Sequence, residues 1–128
     1  MLSPILLPKT QTTPLVVWNE TTNELIVEGV CCPLDASGFF TELNAWFEKN
    51  STNFPSNTRF IFCLPFFNSS SAKAIYLVMS QMKVVVERDP TCSVVWIIED
   101  EDDFMIDSHE DFEEILEMDI VALHRKSE

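Results

Sequence analysis

The run Thr58-Arg59-Phe60-Ile61-Phe62-Cys63-Leu64 places apolar side chains on both faces of an extended chain, with Phe60, Phe62 and Leu64 on one side and Ile61 and Cys63 on the other. Successive strand residues point to opposite faces of a sheet, so this strand belongs in the middle of one. Cys92-Ser93-Val94-Val95-Trp96-Ile97-Ile98 has the same character. Between the two runs lies a helical pattern from Ala72 to about Asp89, closed by Pro90, with Ile75, Met79, Met82 and Val86 on one face and Leu77, Val78 and Val85 beside them. Two buried strands joined by a long helix make a parallel pair with a right-handed crossover.

The rest of the chain extends this unit at both ends. Leu15 to Asn19 and Glu24 to Val30, separated by the turn Glu20 to Asn23, read as a hairpin. Asp35 is placed to cap a helix running to about Lys49, whose Phe39, Phe40, Leu43, Trp46 and Phe47 form one apolar stripe. Asn50 to Asn57 is a polar loop. Beyond the second central strand, Ser108 or His109 opens a short helix with Phe112, Ile115 and Leu116 inward, and Asp119 to Leu123 closes the chain as a strand. The expected order is β-β-α-β-α-β-α-β. This is an α/β single domain with a five-stranded mixed sheet, an antiparallel hairpin followed by largely parallel strands, and three helices mainly on one face. Residues 1–13 read as an N-terminal arm, 14–124 as the domain and 125–128 as a tail. Three helices cannot cover both faces of such a sheet, so apolar surface is left for a partner.

Between the strand ending at Leu64 and the long helix lies the corner Phe66-Phe67-Asn68-Ser69-Ser70-Ser71-Ala72-Lys73. Asn68 and three serines stand where the first amides of a helix have no partner of their own, which is a capping site. The same amides and the positive end of the helix dipole favour an anion, so a phosphoryl group on one of these serines meets donors already in place, with Lys73 one turn inside.

Composition narrows the chemistry. At 128 residues and 46% hydrophobic content the chain is long enough for one core. It has no apolar run of membrane-spanning length, and its first residues, interrupted by Pro4 and Pro8, lack a basic start; a soluble, cytoplasmic protein is expected. Cys31, Cys32, Cys63 and Cys92 show no metal-binding spacing and read as reduced thiols. The only histidines, His109 beside an acidic helix and His124 near the C-terminus, offer no His-rich metal or triad constellation, and no cofactor is expected. Of the 21 acidic residues twelve lie between Glu99 and Asp119, a segment without Lys or Arg, leaving nine against eight basic residues elsewhere. This flank disfavours nucleic acid and anionic membrane and suits a basic protein surface. Its spacing does not match a calcium-binding loop of the EF-hand type, and a solvated acidic loop is expected.

Four patches, in order, resemble the SiaC-type regulatory phosphoproteins of bacteria: Thr13-Pro14; Gly29-Val30-Cys31-Cys32-Pro33 with Phe39-Phe40 and Trp46; Asn68-Ser69-Ser70-Ser71-Ala72-Lys73; and Val95-Trp96 followed by the acidic loop, Met105 and Glu110-Asp111-Phe112. The likeness spans roughly Thr12 to Leu123. It implies a non-enzymatic protein whose corner hydroxyl next to the Asn is phosphorylated by a dedicated kinase and dephosphorylated by a PP2C-like phosphatase, and whose unphosphorylated form binds and activates a diguanylate cyclase. The implied phosphoacceptor is Ser69, with Ser70 and Ser71 as alternatives, and Asn68, Ser70, Ser71 and Lys73 shape the site. The chain departs from the pattern by carrying Ser where the best-known member has Thr, and by Cys31, Cys32, Pro33, Leu34 and Asp35 after the glycine. Two other readings stand beside this one: a partner-switching antagonist of another target such as an anti-sigma factor, and a small hydrolase with Ser69, Ser70 or Ser71 as nucleophile.

Overall fold

The computed structural model describes residues 2–126. It contains one six-stranded sheet in which sequence order is also spatial order: β1 (Leu6–Leu7), β2 (Leu15–Asn19), β3 (Glu24–Glu28), β4 (Arg59–Cys63), β5 (Ser93–Glu99) and β6 (Val121–Arg125). The first three strands pair antiparallel and β3 to β6 pair parallel, so the expected mixed sheet is present with one strand more. The helices are α1 (Ala36–Phe39), α2 (Thr41–Asn50), α3 (Ser69–Arg88) and α4 (Asp103–Leu116).

The extra strand comes from the segment read as an arm. Leu6 and Leu7 pair with Val17 and Val16, and Leu2 and Ile5 are buried in the core. Asn50 anchors the segment: its Oδ1 accepts from the Ser3 amide at 3.2 Å and its Nδ2 donates to Ser3 Oγ at 3.0 Å, while Trp46 Nε1 donates to the Ser3 carbonyl at 2.7 Å. A two-residue strand between prolines has no period to read, and an outer strand tolerates the prolines that a central one does not. At the other end β6 includes Arg125, the first residue assigned to the tail; Met1, Ser127 and Glu128 lie outside the described residues.

The helix expected over 35–49 is divided at Phe40 into α1 and α2. Asp35 does cap it, accepting from the Gly38 amide at 3.0 Å. Two local features favour the break. Gly38 is a weak helix former, and the Thr41 hydroxyl donates back to the Ser37 carbonyl at 3.1 Å, a bond that bends helices. Phe40, at the break, is fully buried.

Alternation along the strands assigns the two faces. Leu25, Val27, Phe60, Phe62, Val94 and Trp96 point to the helical side and form the main core with Phe40, Leu43, Ile75 and Met79. On the opposite face Cys63, Val95 and Ile97 make a smaller cluster with Ile61, joined by no described helix. Exposed Leu6, Val121 and Leu123 belong to this side, the face that the described helices leave uncovered.

At one end of that open face, the Cys63 thiol donates to Glu99 Oε1 at 3.4 Å and receives a bond from Arg125 Nη2 at 3.3 Å. Burial, followed by the Glu99 carboxylate, pushes the thiol up to about 11 from 9.0. Because the folded state holds this proton more tightly, its contribution to stability is complete below pH 9 and is lost as pH rises toward 11. The unfolding free energy of the protein relative to Cys63→Ala is therefore expected to shrink between pH 9 and 11, as read from urea melts at fixed pH.

Candidate functional site

The site is built where β4 ends. After Cys63 the chain passes the buried Leu64 and exposed Pro65 and Phe66, and Phe67 then forms an isolated parallel bridge with Cys31. The loop after β3 holds the corner in place through its backbone. The Cys31 amide donates to the Phe66 carbonyl at 2.9 Å, and the Asn68 amide donates to the Cys31 carbonyl at 3.4 Å. Gly29 starts this loop at φ 129°, where an added Cβ would stand 3.3 Å from Pro14 Cα. Gly29→Ala is expected to lower stability by about 1–3 kcal/mol, measured by denaturant unfolding, because the strain cannot relax against backbone.

Asn68 is the N-cap of α3. Its side-chain oxygen accepts from the Ser71 amide at 3.0 Å and from Ser70 Oγ at 3.2 Å, and its carbonyl accepts from the Ala72 amide at 3.0 Å. The amides of Ser69 and Ser70 have no acceptor among the described residues, leaving two donors at the positive end of a 20-residue helix. The helix starts at Ser69, three residues earlier than its apolar period indicates, because the cap rather than the first large side chain sets its beginning. Asn68→Ala is expected to cost about 1 kcal/mol in a thermal or urea melt.

The three serines differ sharply in environment. Ser69 and Ser70 are exposed, whereas Ser71 is fully buried and its Oγ has no hydrogen-bond partner of regular geometry among the described residues. Its neighbour is the Cys31 thiol, which burial pushes up while the Ser71 hydroxyl draws it down. Lys73, four residues on from Ser69, is exposed and makes no ion pair among the described residues. The histidines are elsewhere. His109 Nε2 lies 2.6 Å from the Ile120 carbonyl and His124 Nδ1 lies 3.2 Å from Glu101, so no Ser-His pair is formed at the corner among the described residues.

Ser69 borders a groove of about 500 Å³ between the start of α3 and α4. Ala72, Lys73 and Tyr76 form one wall and Phe104, Asp111 and Ile115 the other, over a floor of Phe67 and Phe112. The floor is tied down by aromatic packing: Phe67 lies 5.0 Å from Phe104, 6.0 Å from Phe112 and 6.0 Å from Trp96 between ring centroids. Trp96 Nε1 also donates to the Met105 carbonyl at 3.0 Å, fixing α4 to β5.

Sequence reasoning located the corner but not this second wall. The acidic stretch is not all loop: Asp102 caps a helix by accepting from Phe104 at 2.9 Å and Met105 at 3.3 Å, so α4 begins at Asp103 and Ser108 lies within it. Asp100 and Glu101, both at positive φ, make the turn. Ile115, expected inward, is 61% exposed. Phe104, Ser108, Asp111, Phe112 and Ile115 recur at helical spacing on one side, and that period, extended back to Asp102, was the available signal.

The comparisons agree with this architecture. The family model for the SiaC family regulatory phosphoprotein matches residues 7–124. The structure of SiaC of Pseudomonas aeruginosa is similar at 18% identity with a TM-score of 0.78, covering 98% of this chain and 100% of that one. A chain of the crystal structure of diguanylate cyclase SiaD in complex with its activator SiaC, from the same organism, is similar at 18% identity and a TM-score of 0.80, over 96% of this chain and 99% of that one. The apo-SiaC structure gives 19% identity and 0.78, over 97% and 99%. No curated protein sequence matches the chain. With its six-stranded mixed sheet, its capped serine corner and a family match over nearly its whole length, the chain belongs to the SiaC family of regulatory phosphoproteins.

Proposed function

We propose that the protein is a non-enzymatic switch, phosphorylated on Ser69 by a partner kinase and reset by a PP2C-like phosphatase, whose unphosphorylated form binds and activates a diguanylate cyclase in the cytoplasm. The observation that carries this reading is the position of Ser69: an exposed hydroxyl at the first residue of α3, on the rim of an apolar groove, beside two amides and one turn from Lys73, which have no partner among the described residues. A phosphoryl group adds close to two negative charges at neutral pH. The amides and Lys73 accommodate that charge within the protein, while a partner covering the groove would have to desolvate it. Ser70 is exposed but already donates to Asn68, and buried Ser71 offers no hydroxyl to a kinase, so both act in shaping the corner. The complex named for SiaD and SiaC supports a cyclase as the partner class.

The test is affinity capture from the native host with Ser69→Ala and Ser69→Asp proteins, followed by cyclase assays with the purified captured enzyme. Ser69→Ala is expected to retain and stimulate a diguanylate cyclase and Ser69→Asp to do neither. Capture of an anti-sigma factor in place of a cyclase would move the switch to a different target.

A further inference from the structure

We infer that the open face of the sheet, on the side away from the helices, is where two copies of this chain associate back to back, about a two-fold axis running along the strands between β3 and β4. The inference is independent of the reading of Ser69, whose groove lies on the other side of the sheet. Three observations carry it.

The first is a continuous apolar row. The strand registers align Leu6 with Val17, Val17 with Ile26, Ile26 with Ile61, Ile61 with Val95 and Val95 with Val121, one aliphatic residue from each of the six strands. Ile97 and Leu123 pair in the row beside it. Val95 and Ile97 are already buried by their neighbours and Val17, Ile26 and Ile61 are half-buried, while Leu6, Val121 and Leu123 are 62%, 50% and 48% exposed. With strands ~4.8 Å apart the row is ~24 Å long, and short aliphatic side chains over that length suit a second sheet stacked ~10 Å away.

The second is charge. The protein carries a net charge of -13 and α4 alone holds six Asp or Glu and no Lys or Arg, so the helical side of one copy repels that of another. The strand positions on the open face hold three Glu and two Arg. These pair within the chain: Arg59 with Glu24, and Arg125 with Glu99 at 3.4 Å and Glu28 at 4.0 Å. The face is therefore nearly neutral, and an equally acidic second copy can approach it.

The third is self-complementarity. β3 and β4 are the middle pair of the six strands. A two-fold axis between them, parallel to the strands, lays Ile26 of one copy over Ile61 of the other, Val17 over Val95 and Leu6 over Val121, and each pairing occurs twice. Glu24 and Arg59 stand opposite each other in the register, so the same axis puts Glu24 of one copy over Arg59 of the other and joins the two pairs into a ring of alternating charge. A footprint of about 24 Å by 17 Å, roughly 400 Å² per protomer, falls short of a standard interface, so a weak dimer is expected, with a Kd on the order of 100 µM.

The experiment is sedimentation equilibrium of the full chain from ~5 to ~500 µM, with Ile61→Lys, Glu24→Arg and Arg59→Glu and an equimolar mixture of the last two. The wild-type protein is expected to pass from monomer to dimer. Ile61→Lys, which buries two charges without partners near the axis, is expected to raise the Kd by ~10-fold or more at unchanged melting temperature. Glu24→Arg and Arg59→Glu each set like charges against each other across the axis and are expected to stay monomeric. Mixed, they bring two basic positions over two acidic ones and recover a 1:1 dimer, a recovery that a structural effect of either substitution does not produce. A wild-type protein that stays monomeric, a dimer indifferent to Ile61→Lys, as pairing of β6 edges would give, or a mixture that stays monomeric overturns the assignment. A monomer that captures a host protein through this face, with capture lost in Ile61→Lys, gives the face to a different occupant and overturns it too.

Discussion

Trp96→Ala is expected to lower the unfolding free energy by about 3–5 kcal/mol, the cost of truncating a large buried ring. Trp96 is 1% exposed and lies 5.9 Å from Phe62, 6.0 Å from Phe67 and 5.5 Å from Phe112 between ring centroids, so it joins β4, the corner and α4. Its loss also removes the donor to the Met105 carbonyl. Trp96→Phe keeps most of the buried area and loses that bond, and about 1 kcal/mol is expected. Urea unfolding of both variants separates the two contributions. The position of α4 depends on this residue, and with it the groove beside Ser69.

Phosphorylation of Ser69, or Ser69→Asp, is expected to weaken binding of the cyclase by ~100-fold or more, which at 1.4 kcal/mol per tenfold is close to 3 kcal/mol. The magnitude is that of covering a charged group without a partner for it. Stability should change little, because the added charge stands in water at a helix start where negative charge is tolerated. Isothermal titration with the purified cyclase and a thermal melt of the same samples measure both quantities. Loss of binding together with loss of fold would point to damage in place of switching.

What could be read from residues alone follows the strength of the local signal. β4 and β5 were legible because Phe60, Phe62, Val94 and Trp96 alternate with Ile61 and Val95 in long apolar runs, which only the centre of a sheet accommodates. Asn68 was legible as a cap because its side chain competes for the same amides in any helix start. β1 was not, since its two residues pair with Val17 and Val16 while the chain before them is tied through Ser3 to Asn50 and Trp46, contacts across more than forty residues. The break at Phe40 follows from Gly38 and the Thr41 hydroxyl bonded back to the Ser37 carbonyl, local features that apolar spacing does not carry. The first turn of α4 was hidden by its own composition: Asp102 and Asp103 read as solvated loop, although acidic residues are favoured at a helix start. The groove was missed with it, because Phe104 at one end of the α4 wall was not read as helical and Ile115 was placed inward.

The proposed switch requires that the hydroxyl after Asn68 is the one that carries the phosphoryl group. Fragment-ion mass spectrometry of the protein isolated from its own host tests it directly. A single phosphoryl group on Ser69 is expected, absent from Ser69→Ala and removed by a PP2C-type phosphatase. A phosphoryl group on Ser70 with Ser69 unmodified, or protein that stays unmodified when its kinase is active, would contradict it.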